Sequence, residues 1–346
     1  MTLLLSAACS VFASPAQLDD RFQDEQIQDE QFMLRAAALK GDPLSDLAIA
    51  RVLGMRADDA QDQARKQALL AAAELLRDNV AGVEQNLDVM AWQLMQEWPP
   101  GGDATERAAR VQRLELGSID NAFYAISVLH LPEYRDAPAA AAKLIHRAAQ
   151  APRYRSHFVP VGRSLSERFL ALARAEGMPR VPTMAGVSPE SLAFIMAIGV
   201  AVAVPWPAYQ PFSHICSKDA FDQLRVDCRR LATLMVTDAD TFLDVHMGIA
   251  ALKRMADSAA DLAHIQTLER EQSWLQEQAV ELSKDMHPGI DTNWTPEEDA
   301  RFKRFAQVWF ASGEVEAQRH LLREAQISEL PPAQWRSARE QSQSAN

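Results

Sequence analysis

Long apolar runs are the scarcest feature of this sequence. The longest uncharged one, SLAFIMAIGVAVAV over residues 191–204, would rise about 21 Å as a helix, short of the ~30 Å of bilayer hydrocarbon. It reads as a buried central helix, and no transmembrane span is expected. Stretches of alternating β-branched residues are just as rare, while Ala, Leu, Gln, Glu and Arg dominate, so the expected fold class is all-α. Basic charge is in deficit: 35 Lys and Arg against 47 Asp and Glu give a net charge of −12. Binding to a phosphate backbone needs clustered Lys and Arg, so nucleic acid is not an expected partner. The best local basic stretch, RYRSHFVPVGR around Arg153, Arg155 and Arg163, reads as a solvated helix edge.

Local catalytic motifs are missing too. No Gly-rich phosphate loop, Gly-x-Ser-x-Gly elbow or His-Glu-x-x-His helix occurs. No catalytic residue, cofactor or metal ligand is therefore assigned, although a site assembled from separate helices would leave no local motif. The densest set of possible metal ligands is Asp238, Asp240, Asp244 and His246. On one helix Asp240 and Asp244 share a face, while His246 lies about 200° round from Asp244. Asp238 and Asp240 suit the N-terminus of a helix better than a metal. His214 and Cys216 stand too close in sequence for a thiol–imidazole site, and no third orienting group is evident.

Cysteines number only three, and their use bears on compartment. Residues 1–16 read as an export signal. Leu3, Leu4, Leu5, Ala7, Ala8, Val11 and Phe12 form its apolar core, and Ser14-Pro15-Ala16 supplies small residues of the cleavage type. The usual positive lead is missing, since the first basic residue is Arg21. A periplasmic or otherwise exported location is expected, with a lipid anchor through Cys9 as the alternative. Loss of the signal leaves Cys216 and Cys228, a pair that an oxidising compartment joins as a disulfide. On one continuous helix their sulfurs would lie about 18 Å apart, so pairing requires a bend, placed at Cys216-Ser217-Lys218-Asp219. The alternative is two buried, unpaired side chains.

What the chain does have is helix punctuation. Residues 119–149, IDNAFYAISVLHLPEYRDAPAAAAKLIHRAA, read as two helices joined by a short turn. Phe123, Ile126 and Leu129 recur at helical spacing and Pro132 closes the first; Asp136 caps the second, with Pro138 in its first turn. Upstream, Gly41 ends one helix while Asp42 and Pro43 open the next, and further helices fall at about 64–78, 83–98 and 104–116. Helix starts thus recur every ~17–21 residues, within the range of helical repeats. GMPRVPTMAGV (177–187) is the best internal boundary. Beyond it Ser188-Pro189-Glu190 opens a helix, and PWPAYQPF (205–212) is an irregular connector. Thr237 with Asp240 caps a helix over about 238–256 between helices at about 220–236 and 258–284. Thr295-Pro296-Glu297-Glu298 forms a capping box, and a last helix covers about 314–326. The expected organisation is a signal (1–16), an acidic lead-in (17–30), a helical-hairpin array (31–176), a C-terminal helical region (188–330) and a tail (331–346).

The helix rhythm, the Gly-Asp-Pro turn at 41–43 and the Asn121-Ala122 opening of an apolar helix resemble tetratricopeptide or Sel1-type repeats over roughly residues 31–176. The chain as a whole is also similar to exported, alanine-rich helical proteins of Gram-negative bacteria. The repeat resemblance implies stacked antiparallel helix hairpins, an α-solenoid with a concave binding face. The expected function is that of an exported interaction protein binding a protein or peptide partner. The alternatives are an enzyme whose site comes from separate helices and a structural scaffold of the cell envelope.

Overall fold

The computed structural model describes residues 20–337 except 82, 84, 97–102, 179–185, 218–220 and 285–293, with side chains from residue 28 onward. The export signal, Cys9 and the first residues of the acidic lead-in (17–19) lie outside the described residues, and the rest of the lead-in is helical. Among those described there are sixteen helices and no strand, so the chain is all-α. None of these helices is long and apolar enough to cross a membrane.

The helices fall into two compact units, each assembled from three separate stretches of chain. The first takes the residues up to Val83, then Phe158–Val204 and Val280–Ser312. It holds α1 (Asp20–Ala38), α2 (Pro43–Asp59), α3 (Gln63–Ala81), and later α9 (Phe158–Glu176), α10 (Pro189–Ala201) and α15 (Pro296–Ser312). The second takes Glu84–His157, Pro205–Ala279 and the residues from Gly313. It holds α4 (Leu87–Met95), α5 (Ala104–Gly117), α6 (Phe123–Val128), α7 (Pro132–Arg135), α8 (Pro138–Ala148), α11 (Tyr209–Ile215), α12 (Asp222–Asp238), α13 (Phe242–Met255), most of α14 (Ala259–Lys284), and α16 (Glu314–Glu324). The expected boundary at 177–187 does not coincide with this division, because α9 and α10 on either side of it pack together.

In the first unit, local signals set the helix ends. Asp42 accepts the Leu44 amide at 2.8 Å, and Pro43 starts α2. Ser188 caps α10 through the Ser191 amide at 3.2 Å. At α15 the capping box is reciprocal: the Glu298 carboxylate takes the Thr295 amide at 2.6 Å and Thr295 Oγ1 takes the Glu298 amide at 3.2 Å. α2 and α3 form a hairpin, and α9 packs against α2, α10 and α15. The joint between them is Arg168 on α9, buried, whose guanidinium donates to the carbonyls of Ala36, Ala37 and Leu39 at the end of α1. It also bonds Ser45 and the buried Asp46 carboxylate in the first turn of α2. Last-turn carbonyls have no partner within their own helix, and here an arginine supplies the donors. Gly41 makes room for it, since a Cβ there would lie 2.2 Å from Arg168 Nη1.

Several expectations in the second unit are corrected. Pro132 does not simply close a helix; it opens the short α7, because proline is tolerated at the first helical position. Asp136 caps nothing and pairs instead with Arg135, so α8 starts after Ala137 without a side-chain cap. The connector 205–212 is helical from Tyr209 onward, with Phe212 fully buried. The helix expected from 238 starts at Phe242: Thr237 is still inside α12, and its hydroxyl donates back to the Thr233 carbonyl at 3.0 Å. The cap is Thr241, four residues later: its hydroxyl accepts the Asp244 amide at 3.3 Å and donates to the Asp244 carboxylate at 2.6 Å.

Candidate functional site

Cys216 and Cys228 are joined in a disulfide with Cα atoms 5.5 Å apart, so neither offers a free thiol and Cys216 cannot pair with His214 for catalysis. The required bend is present. α11 ends at Ile215, Cys216 leaves helical geometry with ψ 68°, and α12 begins only at Asp222.

The structure brings Asp238, Asp240 and Asp244 close to one another, but as acceptors for the loop 149–157 and not as a ligand set. Asp238 accepts the Tyr154 amide and the Arg155 guanidinium, each at 2.7 Å. Asp240 Oδ1 accepts the Ser156 hydroxyl at 2.8 Å and its amide at 3.3 Å. One oxygen of Asp244 takes the hydroxyls of Tyr154 (2.7 Å) and Tyr209 (2.6 Å), and the other takes that of Thr241 (2.6 Å). His246 is directed elsewhere, 3.4 Å from Gln276. Among the described residues no group of three or more His, Cys, Asp or Glu is placed to hold a metal ion.

Asp244 and Asp240 are buried, at 0% and 1% exposure, while Asp238 at the edge of the cluster is half-buried. The electrostatics of the buried pair follow from that burial. Desolvation, and then the charge of Asp244, push the Asp240 carboxyl up to about 7. Asp240 Oδ2 has no hydrogen-bond partner, which is where a proton can sit. Burial also raises Asp244 and Glu314, the latter holding the Phe242 amide at 3.1 Å. Gly313, with φ 96°, is required beside them, because a Cβ would lie 2.5 Å from Asp240. His157, at the end of the same loop, is pushed down to about 3 by burial between Trp92 and Phe123.

The three arginines expected on a solvated helix edge are tied down. Arg153 donates to the Asp120 carbonyl and Arg155 to Asp238, both from a loop; Arg163, on α9, donates to the carbonyls of Phe310 and Ala311.

An accessible site lies between α4 and α5. There a groove of about 510 Å³ is lined by Leu87, Met90 and Leu116, with Arg113, Asp120 and Gln85 among its polar wall. Asn86 fixes the start of α4 by accepting the amides of Asp88 and Val89 at 2.9 and 3.2 Å. Asp103 does the same for α5 through Thr105 at 2.8 Å. α5 ends at Gly117, which Leu87 approaches so closely that a Cβ would meet its Cδ1 at 2.6 Å. That turn leaves Leu116 58% and Ile119 47% exposed. An apolar floor between an arginine and an aspartate suits a short apolar segment flanked by charges. Sequence reasoning assigned none of these residues, since Leu116 and Ile119 look like ordinary core positions until α4 is placed. No protein-family model matches the chain, and neither a curated protein nor a solved structure gives a match.

Proposed function

We propose that this chain is an exported helical interaction protein that takes a protein or peptide segment into the α4/α5 groove. The observation that carries this reading is the groove lined by Leu87, Met90 and Leu116, of which Leu116 is 58% exposed. Exposed apolar side chains gathered at a concave site commonly mark association surfaces. The Cys216–Cys228 disulfide supports an oxidising, extracytoplasmic location.

The test uses the purified chain as bait in an envelope extract, beside Leu116→Glu. Leu116 is exposed, so the substitution leaves stability within about 0.5 kcal/mol of the parent. Proteins retained by the parent and lost by the variant are then titrated in purified form, with an expected loss of about tenfold or more from a charge set into the apolar floor. Retention of the same proteins by both chains, or of none by the parent, would overturn the proposal.

A further inference from the structure

After α16 the chain has no further helix among the described residues, yet residues 327–337 stay in place. They leave α16 through Gln326, whose φ of 57° is the left-handed conformation that glycine normally fills at a helix end. The Ile327 amide closes the turn onto the Leu322 carbonyl at 2.8 Å. From there the strap ISELPPAQWRS lies on α14. The Trp274 indole donates to the Ser328 carbonyl at 2.8 Å. The Arg270 guanidinium donates to the carbonyls of Pro332, Ala333 (3.0 Å) and Trp335 (3.0 Å), which belong to a turn closed by the Trp335 amide on the Pro332 carbonyl at 3.0 Å. Trp335 then packs edge-on against Trp274 with ring centroids 5.3 Å apart, and the Arg270 guanidinium carbon lies 5.9 Å from its ring centre.

This recognition has a definite chemistry. Arg270 and the Trp274 indole are donors only, so the α14 face reads carbonyl oxygens and asks for no amide hydrogen in return. A proline-led turn fits that demand, because Pro331 and Pro332 carry carbonyls and no N–H. Aromatic side chains with donors that read the carbonyls of a proline-bearing segment are a recurrent mode of peptide recognition. Glu329 also pairs with Arg323 (2.9 Å) and Arg319 (3.7 Å), and Ser337 is buried, while between them Leu330 is 61% exposed, Pro332, Ala333 and Gln334 are exposed, and Trp335 is half-buried. We propose that the α14 face around Arg270 and Trp274 is a docking site for a partner's Pro-Pro-x-x-Trp-type segment, and that residues 327–337 occupy it in cis until displaced. It is independent of the α4/α5 groove and does not rest on that reading.

The probe is a labelled synthetic peptide of residues 327–337, titrated by fluorescence polarisation into the full chain. A tethered segment competes at an effective concentration in the millimolar range, so the parent should bind the peptide weakly. Trp335→Ala in the full chain weakens the resident strap and should raise peptide affinity about tenfold or more; adding Arg270→Ala should remove that gain while the circular dichroism holds. A folded Trp335→Ala chain that binds no better than the parent, or a gain that survives Arg270→Ala, overturns the proposal. Should Trp335→Ala fail to fold, the parent decides alone. Excess unlabelled peptide must speed hydrogen exchange at the amides of 327–337, and unchanged exchange refutes displacement.

Discussion

At the scale of single residues, the most informative group is Asp240, because its environment turns a helix-end acid into a proton holder. Its ordinary value is 3.8 and burial carries it to about 7. Between those values the unfolded chain is ionised while the folded one keeps its proton. Stability is therefore present at low pH, falls as pH rises from about 4 to 7, and stays lower above that. Asp240→Asn has no charge to bury and keeps an acceptor for Ser156. Its melting temperature should match the parent's near pH 4 and exceed it increasingly up to pH 7.5. The gain at the plateau should be on the order of 2 kcal/mol: each tenfold change in proton affinity is worth about 1.4 kcal/mol, and the amide leaves a donor unpaired. A difference that is flat with pH would show that Asp240 is ionised in the folded state. Asp240 was visible in the sequence as one of a dense set of acids. Its partners were not: Ser156 is 84 residues away, and Tyr154 stands 90 residues from Asp244.

At the scale of helices, end signals written within four residues were legible and those that needed a distant group were not. The Asp42, Ser188 and Thr295 caps follow from local hydrogen bonds that an isolated segment can make. The Thr241 cap is ambiguous in the sequence because Thr237 and Asp240 offer the same spacing four residues earlier, and only packing decides between them. The end of α1 carries no cap of its own; Arg168, 129 to 132 residues away, supplies it. Arg168→Met should cost about 3–5 kcal/mol, since it strips three carbonyls and leaves the Asp46 carboxylate buried without its cation. Asp46→Asn added to it should recover part of the loss, giving a coupling energy in a double-mutant cycle read from urea unfolding. Strictly additive losses would mean that Arg168 acts on the carbonyls alone. The disulfide lies between these cases. The pairing of Cys216 with Cys228 follows from there being two cysteines once residues 1–16 are set aside, and the bend that permits it was inferable from distance alone.

At the scale of the whole molecule, the two units are interleaved in sequence, and that has a testable consequence. Fragments 31–176 and 188–346, cut at the proline- and glycine-rich break, would each carry parts of both units: the first lacks α10 and α15 from one and α11–α14 and α16 from the other. Neither should melt cooperatively by circular dichroism, whereas the full chain should. Two fragments with sharp transitions would instead support a sequential array with independent halves. The amino-acid sequence by itself determined the all-α class, most of the helices and several of their caps, because helix periodicity and end signals are local. It determined equally that no described helix would be long and apolar enough to span a bilayer. Only the tertiary structure decided which helices share a unit, which acids lie buried with tyrosines, which leucine is left facing solvent beside the α4/α5 groove, and where the tail docks. Those outcomes depend on groups brought together across scores of residues, and no local pattern encodes which distant side chain will fill a given space.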